Sequence, residues 1–533
     1  MERRAFLRTA TLVATAGLAP RPHEAMAASA TTSSQSPGFE LQELTVADLQ
    51  EGMTRGRWTA RGLTEQYQSR IDAVDRNGPR LGSIIEINPD ALRLADELDA
   101  ERRNRGARGP LHGIPVVVKG NLDSGDRRRT SGGSLALEAG TASRDSDVVD
   151  RLRRAGAVLL GKTNLSEWAN FRSTRSTSGW SAVGGQTRNP YALDRNPCGS
   201  SSGSGTAAAA SLAAVTIGTE TDGSIVCPSA ICGVVGIKPT VGLVSRAGII
   251  PISATQDTAG PMCRTVADAA AVLMAIQGYE RRDPATGPMR TRIVRDYTQD
   301  LRSDGLRGAR LGVARKGFGL PSTVEPLLAE AIAACKDAGA VIVDPTEVPN
   351  VDKLGDPEFE VLLYEFKQGM ADYLATRGAG PRSLDDLIRF NTEHREREMP
   401  WFGQEIFEQA ANKGPLTDRA YRRALATCRR LSRTLGIDAI MATHRLDAVV
   451  AITTGPAWPT DYVNGDRYTG GCSTLAAVAG YPHVTVPAGF VHGLPIGLSF
   501  FGRAWSESTL IRLAFAFEQA TRARQPPGYR PSI

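Results

Sequence analysis

From Val46 onward, apolar residues recur at helical spacing: Val46, Leu49 and Met53, then Leu63, Tyr67, Ile71 and Val74. The pattern predicts two helices before Asn77-Gly78-Pro79, with Thr59 and Thr64 as candidate caps. Ile114-Pro115-Val116-Val117-Val118-Lys119 is short, β-branched and bounded by Gly113 and Gly120, so it predicts a buried strand that ends at the lysine. Val148 to Ala155 reads as a helix and Ala157 to Leu160 as a strand. A glycine-serine run, Gly199 to Gly205, then opens an alanine-rich helix that leads into a strand from Ala213 to Ile217. Near the end, Val484 to Pro487 and Leu494 to Arg503 read as strands, followed by a helix from about Ser508. This alternation predicts an α/β fold, a single large domain with a mixed central β-sheet covered by helices on both faces. The stretch from about 283 to 435 reads as charged and helical, and Met399-Pro400-Trp401-Phe402 adds exposed aromatic character to it.

A chain of 533 residues with 41% hydrophobic composition suits one large buried core. The formal charge of +6, from 63 basic and 57 acidic residues, is spread along the chain and not gathered into arms, so no nucleic-acid partner is expected. Arg3-Arg4, a mildly apolar stretch from Thr9 to Ala19 and Ala25-Met26-Ala27 predict a twin-arginine-type export signal over residues 1–27. A small, polar linker follows over 28–38, the folded domain spans 39–533, and the expected location is periplasmic or secreted. No run reaches the roughly 20 apolar residues of a membrane anchor. Seven cysteines are too few for a disulfide scaffold, but one bridge fits an exported protein, and Cys227 and Cys232 are the closest pair in sequence. Without a paired CxxC site, neither metal nor cofactor is expected.

A glycine-serine run alone is usually a flexible linker, but this one passes directly into Thr206 and four alanines, which places it at a helix N-terminus with free amide donors. A phosphate loop requires Gly-Lys-Ser/Thr, whereas Thr206 follows Gly205. Gly199-Ser200-Ser201-Ser202-Gly203 also fits Gly-x-Ser-x-Gly, which would make Ser201 the nucleophile of an α/β-hydrolase, with His394, His444, His483 and His492 downstream. The polar, proline-broken segment Arg195-Asn196-Pro197-Cys198 is a poor match for the buried strand that such an elbow terminates. None of the eight lysines has a serine three positions before it, and the His-Glu pair His23-Glu24 lacks a second histidine, so Ser-x-x-Lys and zincin patterns are absent.

Lys119, Ser200 and Ser224, spaced 81 and then 24 residues apart, are a candidate set of another kind. A serine nucleophile, a second serine and a lysine base can hydrolyse an amide without histidine. At CGSSSGSGTAAAA (198–210) and TETDGSIVCPSAICGVVGIKPT (219–240) the chain resembles the amidase signature family. Its likeness to the bacterial peptide amidase branch includes GIIPISATQDTAGPM and runs from about Leu41 to Arg524. The resemblance implies that Ser224 forms an acyl-enzyme, Ser200 passes the proton and Lys119 is the base, with a cis peptide between Gly199 and Ser200. It also implies oxyanion donors in the backbone amides of Thr221, Asp222, Gly223 and Ser224. Asp222 departs from the usual first glycine of that turn, as Cys198 and Ser202 do from the glycines of the upstream loop.

The implied reaction removes the C-terminal carboxamide of a peptide as ammonia. The alternatives are turnover of aryl or alkyl amides or of amide oligomers, an A-subunit-like amidotransferase, and a non-catalytic binding protein on the same fold. A peptide or small-molecule amide is the expected partner, and a monomer suffices. In the family the region about 283–435 shapes substrate access, and Trp168, Phe171 and Trp180 are candidate walls of the cleft. A lysine base must be largely neutral, and lowering its pKa from about 10.4 to about 7 disfavours the charged form by roughly 4.6 kcal/mol. Lys119 is therefore expected to be enclosed by apolar groups, hydrogen-bonded to Ser200 and free of a carboxylate ion pair.

Overall fold

The structure, a computed structural model, describes residues 38–533, so the expected export signal and nearly all of the linker lie outside the described residues. Thr45 caps the helix Val46–Thr54 and Thr59 caps Ala60–Arg70, each hydroxyl accepting from an amide of the first turn. Thr64 is not a cap: it lies inside the second helix, fully buried, and its hydroxyl donates to Ala60 O at 2.8 Å. Capping requires a residue ahead of the first turn, where amides lack partners, and position 64 is already past it.

The strands are β1 (Ile84–Ile87), β2 (Pro115–Lys119), β3 (Val158–Thr163), the short pair β4 (Trp180–Ser181) and β5 (Gly185–Gln186), β6 (Val215–Glu220), β7 (Val235–Lys238) and β8 (Thr258–Cys263). They continue with β9 (Arg310–Val313), β10 (Val341–Val343), β11 (Ala448–Ile452), β12 (His483–Val491) and β13 (Leu494–Phe501). Apart from the β4/β5 pair, all join one sheet in the order β1-β3-β2-β6-β8-β7-β12-β13-β11-β9-β10. β2 pairs parallel with both β3 and β6. From β6 through β11 the pairings are antiparallel, and β11, β9 and β10 are again parallel, so the sheet is mixed, as the pattern predicts. Helices flank it, including Ser202–Ala209, Val266–Ile276 and Glu507–Thr521.

Every residue of β2, β3 and β6 is buried. Central strands covered on both faces read as continuous apolar runs, and this is why Lys119 ends up inside the molecule at the end of one. The region 283–435 is helical but not wholly so, because β9 and β10 extend the sheet edge within it. Its longest helix, Gly355–Ala375, buries Phe366 and Met370 against Trp168, Phe171 and Phe407.

Candidate active site

Lys119 is fully buried at the end of β2. Its Nζ donates to Ser200 Oγ at 2.7 Å and to Thr219 Oγ1 at 3.0 Å, and Asn121 Nδ2 donates to the same threonine hydroxyl at 3.0 Å. The amine thus meets hydroxyls directly and not bare hydrocarbon. Burial lowers its pKa from 10.5 to about 7, against the through-space pull of Asp257 and Glu220. Among the described residues no carboxylate forms an ion pair with it. A lowered pKa does not by itself single this lysine out: burial also brings Lys162 to about 7 and Lys238 to about 8. Lys162, however, is committed to Leu122 O and Thr130 Oγ1, and Lys238 faces Pro239 O. Of the three, Lys119 alone is bonded to a serine.

The Gly199–Ser200 peptide is cis, as the resemblance implies. The loop around it is built into the core. Ser166 N donates to Ser200 O at 3.1 Å, Ser202 Oγ donates to Cys198 O at 2.6 Å, and Ser204 Oγ donates to Ile217 O at 2.9 Å. The flexible-linker reading therefore fails. So does the Ser201 alternative, because Ser201 is fully buried, its hydroxyl donates to Thr219 O at 3.0 Å and it accepts from Thr219 N at 3.1 Å. An elbow nucleophile needs a hydroxyl that faces substrate, and this one is used to fasten the loop to β6.

Thr221, Asp222 and Gly223 form the turn between β6 and the helix Val226–Ile231, with Gly223 at φ +76°. Side chains hold this turn from several directions. Glu220 accepts from Ile225 N at 2.7 Å and Val226 N at 3.0 Å, Asp222 accepts from Ser473 Oγ at 2.5 Å and Thr474 Oγ1 at 2.7 Å, and Asp257 accepts from Thr221 Oγ1 at 2.6 Å. Burial raises all three carboxyls, Asp257 to about 6. With the turn held this way, its own backbone donors stay available. Among the described residues none accepts from the amides of Thr221, Asp222, Gly223 or Ser224, and none bonds to Ser224 Oγ. Ser224 opens on a cavity of about 310 Å³ that is also walled by Gly199, Phe171, Trp458 and Tyr468.

Two links join the Ser200 loop to the Ser224 turn. Ser201 N donates to Ser224 O at 3.2 Å, and a disulfide joins Cys198 to Cys227 with Cα atoms 6.3 Å apart. The bridge does not join the pair closest in sequence, Cys227 and Cys232: Cys232 is a free, buried thiol. Cys227 lies in the helix Val226–Ile231 and Cys232 caps its end. At about 100° per residue, positions five apart point roughly 140° away from each other. Of the candidate cleft aromatics, Phe171 lines the cavity, whereas Trp168 packs on Phe407 and Trp180 on Phe402 in the core. Sequence reasoning missed Thr219 and Asp257 as neighbours of the lysine and the turn, although both lie inside stretches already marked by resemblance.

Comparison with known proteins gives the family. The chain matches the family described as Amidase over residues 62–511. It is similar to the native peptide amidase from Stenotrophomonas maltophilia, with 55% identity and a TM-score of 0.89 over 92% of this chain and 100% of that one. It is also similar to an amidase family protein from Bacillus anthracis str. Ames, with 36% identity and a TM-score of 0.83 over 92% of this chain and 93% of that one. It is 41% identical over 501 residues to a probable amidase of Arabidopsis thaliana, covering 92% of each chain. With its sheet, its buried lysine-serine pair and these relatives in agreement, the chain belongs to the amidase signature family and is a hydrolase acting on amide C–N bonds.

Proposed function

We propose that the protein hydrolyses the C-terminal carboxamide of peptides, releasing ammonia and leaving a free carboxylate. The observation that carries the reading is the 2.7 Å hydrogen bond between a desolvated Lys119 and Ser200, next to a cavity into which Ser224 opens. In this relay neutral Lys119 accepts a proton from Ser200 as Ser200 takes one from Ser224, whose hydroxyl, without a partner among the described residues, turns to Ser200 for the transfer. The Ser224 oxygen adds to the carbonyl carbon, and the developing oxyanion is met by backbone amides of the 221–224 turn, each worth about 3 kcal/mol of barrier. Collapse breaks the C–N bond while the proton returns through Ser200 to the leaving nitrogen. Water, deprotonated by the same relay, then cleaves the Ser224 ester.

The peptide preference draws on the similarity to the Stenotrophomonas peptide amidase. The Arg3-Arg4 segment and the Cys198–Cys227 bridge favour an exported protein, since such bridges persist in oxidising compartments. The test incubates the protein with an amidated peptide and an aryl or alkyl amide, follows ammonia, and weighs the peptide product by mass spectrometry. The product should carry a C-terminal acid in place of the amide, read as the mass difference between the two groups, and Ser224→Ala should form none. Full activity of Ser224→Ala would remove that residue from the nucleophile role, and turnover of the simple amide alone would replace peptides as the substrate class.

A further inference from the structure

Val463 is 85% exposed, and Trp401 and Tyr468 are each 47% exposed. Large apolar groups in water that sit together mark a binding surface more often than scattered ones do. These share one neighbourhood. Trp401 stacks flat on Tyr462, with ring centres 4.5 Å apart and planes 19° apart, and Val463 follows Tyr462 in the chain. Tyr468 packs edge-on against Trp458 at 5.8 Å, and both wall the cavity into which Ser224 opens. One loop, 458–471, therefore carries both a wall of the cavity and an exposed apolar platform.

The loop is held in place by its own polar contacts. The Asp466 carboxylate accepts from Ser178 N at 3.0 Å, Asn196 Nδ2 at 3.3 Å and Trp458 Nε1 at 3.1 Å. Asp461 accepts from Val463 N at 2.8 Å and Asn464 N at 2.9 Å, and Thr460 N donates to Asp194 O at 3.0 Å. Anchored in this way, the loop keeps Val463 outward and Tyr462 half-buried against Trp401, and a ligand meets a surface already formed.

We propose that Trp401, Tyr462 and Val463, continued by Tyr468, form a distal subsite for apolar side chains of an extended peptide whose C-terminal amide lies at Ser224. The inference rests on the proposed reaction. A cavity of about 310 Å³ is at the small end for ligand sites. An extended chain advances about 3.3–3.6 Å per residue, so all but the last residues of a longer peptide must lie outside, along the wall that carries Tyr468. The occupant is the substrate's own upstream chain, because one loop carries both the platform and a wall of the cavity that holds its end.

The test compares a dipeptide amide with two pentapeptide amides that share its C-terminal dipeptide, one with phenylalanine and one with aspartate upstream. Wild type, Trp401→Ala and Val463→Ser are each assayed for kcat and KM. The phenylalanine pentapeptide should show a KM about 5- to 10-fold lower than the aspartate one, as expected for one aromatic contact. Trp401→Ala should abolish that advantage with kcat unchanged and the dipeptide unaffected, and Val463→Ser should reduce it. Equal KM for both pentapeptides in wild type, or equal loss on the dipeptide, would overturn the subsite. So would a dimer that Trp401→Ala turns into monomer while the peptide preference stays the same. If no peptide amide is turned over, the reaction fails separately, and binding of the same three peptides to Ser224→Ala, measured by calorimetry, decides the subsite by the same comparison.

Discussion

Replacing Lys119 with methionine removes one titrating amine from the core at nearly constant length, and it should cost activity and change stability by an amount that depends on pH. The folded-state pKa is about 7 and the ordinary value is 10.5. Between these values the unfolded chain carries the proton and the folded chain does not, so stability contributed at this site rises with pH across that window. Below about pH 7 the lysine is charged in both states and its desolvation counts in full. At about 1.4 kcal/mol for each pH unit between the two values, this amounts to about 5 kcal/mol of destabilisation. About 2 kcal/mol of it remains at pH 9, and essentially none above pH 10.5.

Methionine does not return all of this, because the Ser200 and Thr219 hydroxyls lose a partner, at about 1–3 kcal/mol for each group left unsatisfied. That loss does not titrate. Lys162 and Lys238 have lowered pKa values too, but they are present in both proteins and cancel in the difference. The diagnostic quantity is therefore the stability of Lys119→Met minus wild type, which should shrink by about 2 kcal/mol between pH 7 and pH 9. Urea unfolding at pH 6, 7, 8 and 9 measures it. In parallel, kcat/KM of wild type should fall on a single-proton limb below about pH 7, as the base becomes charged. A stability difference that stays flat across the series would mean the lysine keeps its ordinary pKa in the fold, and the base assignment would lose its physical support.

The Cys198–Cys227 bridge closes a loop of sequence separation 29, so Cys198→Ser with Cys227→Ser should lower stability by roughly 3–4 kcal/mol. Because the bridge also ties the Ser200 loop to the Ser224 turn, kcat should drop with little change in KM; a variant with native kcat would show that the Ser201–Ser224 backbone contact suffices. Gly203→Ala places a Cβ 2.5 Å from both Asn164 O and Ser83 O, backbone atoms with no freedom to yield. A loss of about 3 kcal/mol or more, or failure to fold, is expected in thermal melts, and an unchanged Tm would mean the loop packs less tightly than described.

The parts of the site readable from sequence are those fixed by local pattern. A β-branched run between two glycines announces a buried strand, and a lysine at its end stands out because lysines seldom end up fully enclosed. What local pattern left open was decided by register. Ser200 and Ser201 are neighbours in the same motif, and only the placement of the loop against β6, which sends one hydroxyl to Thr219 and the other to Lys119, separates them. The disulfide was likewise out of reach, since the cysteine nearest to Cys227 in sequence faces away from it on the same helix. β9 and β10, of four and three residues, are too short for a period-2 signal amid charged helices.

Asp222 shows why a departure from a family pattern need not weaken a site. In sequence it is a side chain where the resembling proteins have glycine, and it casts doubt on the oxyanion turn. A glycine is indispensable only where the backbone must enter the left-handed region, and here that is Gly223, at φ +76°, while Asp222 stays outside it. Position 222 therefore accepts a side chain without disturbing the turn, and its carboxylate accepts from the hydroxyls of Ser473 and Thr474, about 250 residues further along the chain. The substitution exchanges flexibility for an anchor: the turn is tied through the Asp222 carboxylate to the first residues of the helix Ser473–Ala479, which becomes part of what keeps it in place. Catalysis by backbone amides requires position and not a particular side chain, so the residue that looks foreign beside the family's motif is compatible with the same chemistry.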